Sequence, residues 1–374
     1  MHVKHFREEL RIWHAMFSTT FCRRSRHLPS RNSRSLEVKP HKLLHPSQTR
    51  WLSLQVVVTR LLEQMPALIL FFKKAATDDR LLAAEAILEK LIDPSTKLYL
   101  EFLEYVLPLF TNLNKEMQSE ETRIHLLHEK VSAMLKCILE CYIKRDYLEA
   151  TALSDVRYKD PAKFLPLEEI YLGAKPTAAL AGNTHGLNDN QVHNFRLRCL
   201  EFFIEAAHQI YLRFPRKSEQ MKNLRVIDPK VVLGKTVPSI ASLAVSFPLI
   251  VKENEVNELD REWRLLCNME LSDYADLTAS QFWHKVSQMK KGDGSQEYPL
   301  LSSFMKNLLC LPHSSAAVER VFSEVNLIAE NKVEKQIVNR SVVRFAARKK
   351  SLDGQLLLQV QDHSFSFEEY EQRY

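Results

Sequence analysis

Residues 51–74, WLSLQVVVTRLLEQMPALILFFKK, repeat apolar side chains at helical intervals and decide the fold class. Pro66 falls inside this run and is expected to kink or divide the helix. Working outward, the spacing predicts further helices over about 78–92, 96–112 and 118–145. The first opens on Asp78 and Asp79, and the second follows Pro94. Upstream, Phe6, Leu10, Trp13 and Phe17 share one helical face within 3–21, and 22–40 read as a basic, Ser-rich loop. No Gly occurs before Gly173, and there are only 7 in 374 residues, whereas Leu occurs 54 times. Tight hairpins and Gly-rich phosphate loops need Gly where φ is positive, while Leu loses little rotamer freedom in a helix. The fold is therefore expected to be mainly α, and a nucleotide-binding α/β enzyme is close to excluded.

Downstream, residues 155–190 hold Pro161, Pro166, Pro176, Gly173, Gly182 and Gly186, and read as a connector. A strong helix is expected over 191–213, then short β-favouring runs with Pro229, Pro238 and Pro248 over 224–251. Helices return at about 253–271 and 279–290. The stretch 299–330 reads as two helices divided by LPHSS.

Charge is unevenly spread. Residues 1–50 hold eleven Lys and Arg against three Glu, a net of +8, while the whole chain is +6. A basic end on a near-neutral body suits phosphate contacts, with a solvated leader as the plain alternative. The six Cys are scattered and read as reduced thiols. No run of 18 apolar residues is free of charge, so no membrane helix is expected.

Most chemical motifs fail on their own geometry. Gly234-Lys235-Thr236 resembles the end of a phosphate loop, but the Gly required five residues earlier is Pro229. His125, His128, Cys137 and Cys141 could offer zinc ligands. On one helix, however, the outer two stand roughly 24 Å apart at 1.5 Å per residue. No metal site and no cofactor is expected. Two stretches rise above this background. In HKLLHPSQTRWLSL, residues 41–54, Arg50 and Trp51 place a cation beside a large π-surface, a pairing that can hold a phosphate and stack a base. In LPHSSAAVERVFSEVN, residues 311–326, Ser314 or Ser315 caps a helix with Val318, Val321, Phe322 and Val325 as its buried stripe. Glu319 lies one turn before Phe322 and Ser323.

On these two stretches the chain resembles the hAT superfamily of DNA transposases, in particular their transposase-derived relatives. HKLLHPSQTRWLSL is similar to the family's Arg-Trp segment. YPLLSSFMKNLLCLPHSSAAVERVFSEVNLI, residues 298–328, is similar to its C-terminal dimerisation block. The resemblance implies a ribonuclease H-like fold interrupted by a large helical insertion, with two catalytic Asp before the insertion and a Glu after it. Glu319 takes the place of that Glu, and Arg50 and Trp51 take the DNA-handling segment. The chain departs from the pattern upstream: no Asp precedes Asp78, and neither a Cys-x-x-His segment nor a zinc-finger domain stands before Arg50. A lone Glu cannot hold two Mg²⁺ ions.

The expected organisation is a basic leader over 1–50 and a helical insertion over 51–290. The dimerisation block, with a ribonuclease H-like remnant, follows over 291–350 and a tail over 351–374. The expected function is a catalytically inactive, transposase-derived protein that pairs with itself or a related hAT-derived chain. It touches DNA weakly, involves no membrane, and resides in the nucleus, with the cytoplasm as alternative. The contrary reading is an active hAT transposase or nuclease recruiting Asp78, Asp79 or Asp93. Phe282, Trp283, Leu301, Phe304, Leu308, Val318 and Phe322 are the expected dimerisation residues. On residues alone, 279–330 could instead close onto its own helical domain.

Overall fold

The computed structural model describes residues 51–78, 82–183, 186–214, 218–234, 237–274 and 276–330. They are mainly helical. Among them backbone pairing of the β type is limited to two isolated bridges, Ile143 with Phe164 and Lys290 with Gln296. The expected helix over 3–21, the loop over 22–40 and the tail lie outside the described residues.

Helices α1 (Trp51–Asp78), α2 (Leu82–Ile92) and α3 (Pro94–Met117) pack together and open the first core. Pro66 does not divide α1. It sits on the exposed side, where the carbonyl of Leu62 that loses its N–H partner can be hydrated. Within α1, Leu54–Thr77 is long and apolar enough to cross a membrane, contrary to the count of uncharged residues. Its inner face, with Val58, Leu68 and Phe72, is buried in the first core. The expected start of a helix at Asp78 is corrected: Asp78 ends α1 and α2 begins at Leu82. Asp93 instead caps α3, accepting from the Ser95 N–H at 2.9 Å with Pro94 in the first turn.

Helix α4 (Ile124–Glu140) is shorter than the run expected over 118–145. Its C-terminal end breaks because residues 141–144 pair with a later segment. Cys141 accepts from the Tyr171 N–H at 2.8 Å, Tyr142 from Leu165 at 2.8 Å, and Lys144 donates to Lys163 at 3.0 Å. The chain resumes in α5 (Arg145–Ala150).

Those bonds also correct the reading of 155–190 as a free connector. Val156, Ile170 and Leu172 are buried in the first core, α6 (Ala174–Ala181) packs on α3, and Arg196 holds the carbonyl of Leu167 at 3.1 Å. The segment is a strap tied down by backbone bonds rather than by periodic apolar residues. Helix α7 (Asp189–Arg213) closes the core with Phe195, Cys199, Phe203, Ala207 and Tyr211, opening on an Asn188–Gln191 capping box. Phe203 meets Phe102 edge-on at 5.4 Å and stacks on Tyr142 at 6.2 Å.

The second core begins with a 3-10 turn over Leu224–Ile227 and the short helices α8 (Glu219–Asn223), α9 (Pro229–Val232) and α10 (Ala241–Val245). The β-favouring runs expected over 224–251 form no strand among the described residues. They are cut into single turns, because Asp228 caps α9 through the Lys230 N–H at 3.0 Å and Pro229 starts it. Helices α11 (Val256–Cys267), α12 (Ala279–Ser287) and α13 (Pro299–Leu309) complete this core. The packing therefore runs across residue 290, where the sequence suggested a boundary. A compact unit extends to His313, and a second begins at Ser314 with α14 (Ala316–Glu330).

Candidate functional site

The residues expected to act together lie on α12, α13 and α14, and their environments differ sharply. Helix α12 opens on a Thr278–Gln281 capping box and buries Phe282 and Trp283. The Trp283 indole lies 6.4 Å from that of Trp263 on α11, with the planes 23° apart, and Phe282 meets it edge-on at 5.0 Å. Both indole N–H groups are used: Trp283 donates to the Ile227 carbonyl at 2.8 Å, and Trp263 to that of Pro238 at 2.7 Å. On α13, Leu301, Phe304, Met305 and Leu308 are fully buried in the same core.

These positions correct the expected dimerisation surface. Phe282, Trp283, Leu301, Phe304 and Leu308 face the chain's own second core and offer nothing to a partner in this conformation. The plain alternative holds for α12 and α13: they close the helical unit onto itself. The physical reason is the segment over 224–271, whose short turns supply the covering surface that helical periodicity could not reveal.

Helix α13 has no capping side chain of its own, since Tyr298 stands at the N-cap position. Glu262 of α11 does this from outside, accepting the Leu301 N–H at 2.7 Å and the Leu300 N–H at 3.4 Å. Burial raises the Glu262 carboxyl above its ordinary 4.5, against the opposing effect of those two N–H groups. Sequence reasoning missed this residue. The signal was an acid in register with the apolar stripe of Leu259, Trp263 and Leu266. Replacing Glu262 by Ala strands the buried Leu301 N–H and the half-buried Leu300 N–H, and urea unfolding is expected to show a loss of about 1–3 kcal/mol. The pH dependence has a definite sign. The folded carboxyl binds its proton at higher pH than the unfolded one, so its contribution is fullest below 4.5 and falls as pH rises through the raised value. Wild-type stability relative to Glu262→Gln is expected to improve as pH is lowered from 7.

Helix α14 is different. Ser314 Oγ accepts the Ala316 N–H at 3.4 Å, and the Ser315 carbonyl accepts the Glu319 N–H at 2.9 Å. Val318 and Phe322, expected in a buried stripe, are 56% and 58% exposed, while Val321 and Val325 are half-buried. Glu319 is exposed, and its carboxylate accepts a hydrogen bond from the Ser315 hydroxyl. Arg50 lies outside the described residues. Trp51 begins α1, and its side chain is likewise outside them.

Among the described residues no three His, Cys, Asp or Glu side chains gather to hold an ion. His125, His128 and Cys137 stand along α4, with Cys141 just past its end. Burial pushes the Cys141 thiol up to about 11, and the thiol donates to the Cys137 carbonyl at 3.2 Å, as a core thiol does.

Residues 268–340 match the hAT family C-terminal dimerisation region. That match supports a relationship of the chain to the hAT superfamily. Neither the comparison with curated proteins nor that with solved structures gives a match. The hAT region begins ahead of α12, spans α12 and α13, takes in the whole of α14 and continues beyond it. It therefore joins two helices sealed in a core to one helix that carries an exposed apolar pair. The match supports a dimerisation role.

Proposed function

We propose that this protein acts by pairing with a second copy of itself, or with a related hAT-derived chain, through α14, without performing strand transfer. The hAT dimerisation region carries the reading, and the outward position of Val318 and Phe322 supports it. Burying two such side chains against a partner contributes about 1.5–3 kcal/mol each. The buried α12 and α13 act as the foundation of the region rather than its contact surface. On this reading the block retains a remnant of the ribonuclease H-like part of the superfamily's fold, and the helices before it descend from the insertion.

Light scattering at micromolar concentration is expected to show self-association. Val318→Ser with Phe322→Ser is expected to weaken it at least about tenfold, leaving the far-UV spectrum unchanged because both positions are exposed. A strict monomer, or a dimer indifferent to the double substitution, would overturn the pairing through α14.

Catalytic silence and weak DNA contact belong to the same proposal. Glu319 is the match to the family's catalytic Glu, yet it is exposed and engaged by Ser315. The +8 charge over 1–50, ending in Arg50 and beside Trp51, favours sequence-independent binding that weakens steeply with salt, and with it a nuclear location. Labelled terminal-repeat DNA with Mg²⁺ or Mn²⁺ is expected to be retained at low salt and left uncut. Nicking that disappears in Glu319→Gln would establish the active-transposase reading instead.

A further inference from the structure

One buried titratable group stands where the two cores meet. Helix α4 joins them. Ile124 in its first turn belongs to the second core, while Leu135, Ile138 and Leu139 belong to the first. Next to Ile124, His125 is 8% exposed, and its Nδ1 is buried with no protein group in hydrogen-bond reach. A neutral ring tolerates this, because Nδ1 can be the bare nitrogen. An imidazolium cannot, since both nitrogens then carry protons and the one at Nδ1 would have no acceptor.

Most of the surrounding charges also disfavour the imidazolium. Arg123, directly before the helix, adds positive charge and has its own Nε buried and unpaired. The first turn of a helix disfavours a cation. His313 acts on His125 in the same direction from the chain segment that follows α13, and Asp228 at the start of α9 is the carboxylate that opposes them. Asp228 is already engaged, accepting the Lys230 N–H at 3.0 Å.

The loop before α4 is also clasped to the end of α13. Thr122 Oγ1 donates to the Leu309 carbonyl at 3.2 Å, and His313 Nε2 lies 3.3 Å from the Ser119 carbonyl. Residues 309–313 fall inside the hAT region and run directly into Ser314.

We propose that His125 makes this clasp pH-sensitive: its protonation releases residues 118–125 from residues 309–313 and opens the seam between the cores. Burial holds the His125 ring below its ordinary 6.5, with Asp228 opposing and Arg123 and His313 reinforcing. The clasp is therefore complete above 6.5 and loosens as pH falls. The inference does not depend on self-association, because it concerns contacts within one chain.

Hydrogen exchange on the full chain between pH 7.5 and 5.5, corrected for intrinsic rates, tests it. Protection at the Leu126 and Leu311 amides, which donate to Arg123 and Leu308, is expected to fall about tenfold, while the amides of α7 hold. His125→Phe removes the proton and is expected to abolish the fall. His125→Gln repeats the test with a side chain that keeps a polar end. His313→Gln is expected to keep it, because the His313 ring can donate to Ser119 in its charged form. Flat protection in the wild type, a fall that persists in both His125 variants, or a fall lost in His313→Gln would each overturn the assignment.

Discussion

Replacing Trp283 by Ala lowers the stability of the second core by about 3–5 kcal/mol, the range for removing a fully buried Trp. The side chain is 1% exposed, stacks with Trp263, meets Phe282 edge-on, and donates its indole proton to Ile227. Truncation leaves a cavity and strands the Ile227 carbonyl in a buried setting. Chemical denaturation followed by Trp fluorescence is the direct measure. The same substitution distinguishes a foundation from a contact surface. If Trp283 acts only through the core, self-association weakens in parallel with unfolding and not under conditions where the variant remains folded. An unfolding loss under about 1 kcal/mol would place Trp283 on a surface and contradict its burial.

Gly173→Ala is expected to cost about 2–5 kcal/mol, a loss without any large side chain being removed. Gly173 has φ of 95°, which side chains with a Cβ rarely adopt, and it stands at the N-cap of α6. A Cβ added there would lie 2.7 Å from both Cβ and Cγ of Tyr105. These atoms are close to the α3 backbone and cannot swing away as a side-chain tip would. Tyr105 is further held by an edge contact with Tyr171 at 5.3 Å and by the Cys141 sulfur at 3.6 Å. The strain therefore passes into the strap over 155–173. Thermal unfolding of the variant gives the cost, and limited proteolysis between 155 and 173 shows where it is felt. An unchanged melting temperature with intact resistance would show that the strap is the loose connector its composition suggests.

Local rules alone determined a good deal of this protein. The scarcity of Gly, the abundance of Leu and the apolar spacing of 51–74, 191–213 and 299–330 determined a helical chain, because a stripe at 3.6-residue intervals is a property of neighbours in sequence. Pro94 marked the neighbourhood in which α3 starts. The stretches over 41–54 and 298–328 carried the resemblance to the hAT superfamily, and the match over 268–340 supports it through the second of them.

Tertiary structure decided what each apolar stripe faces. Periodicity shows that Trp283, Phe304 and Phe322 lie on apolar faces but not what covers them. The first two are sealed by 224–271, and Phe322 is exposed. Tertiary structure also decided that 155–173 is bound, through backbone bonds to 141–144 that carry no sequence signature. Glu262 likewise became a cap for a helix about forty residues away only when α11 and α13 were brought together. Burial and long-range hydrogen bonding depend on partners distant in the chain, whereas helix formation and capping are settled within a few residues.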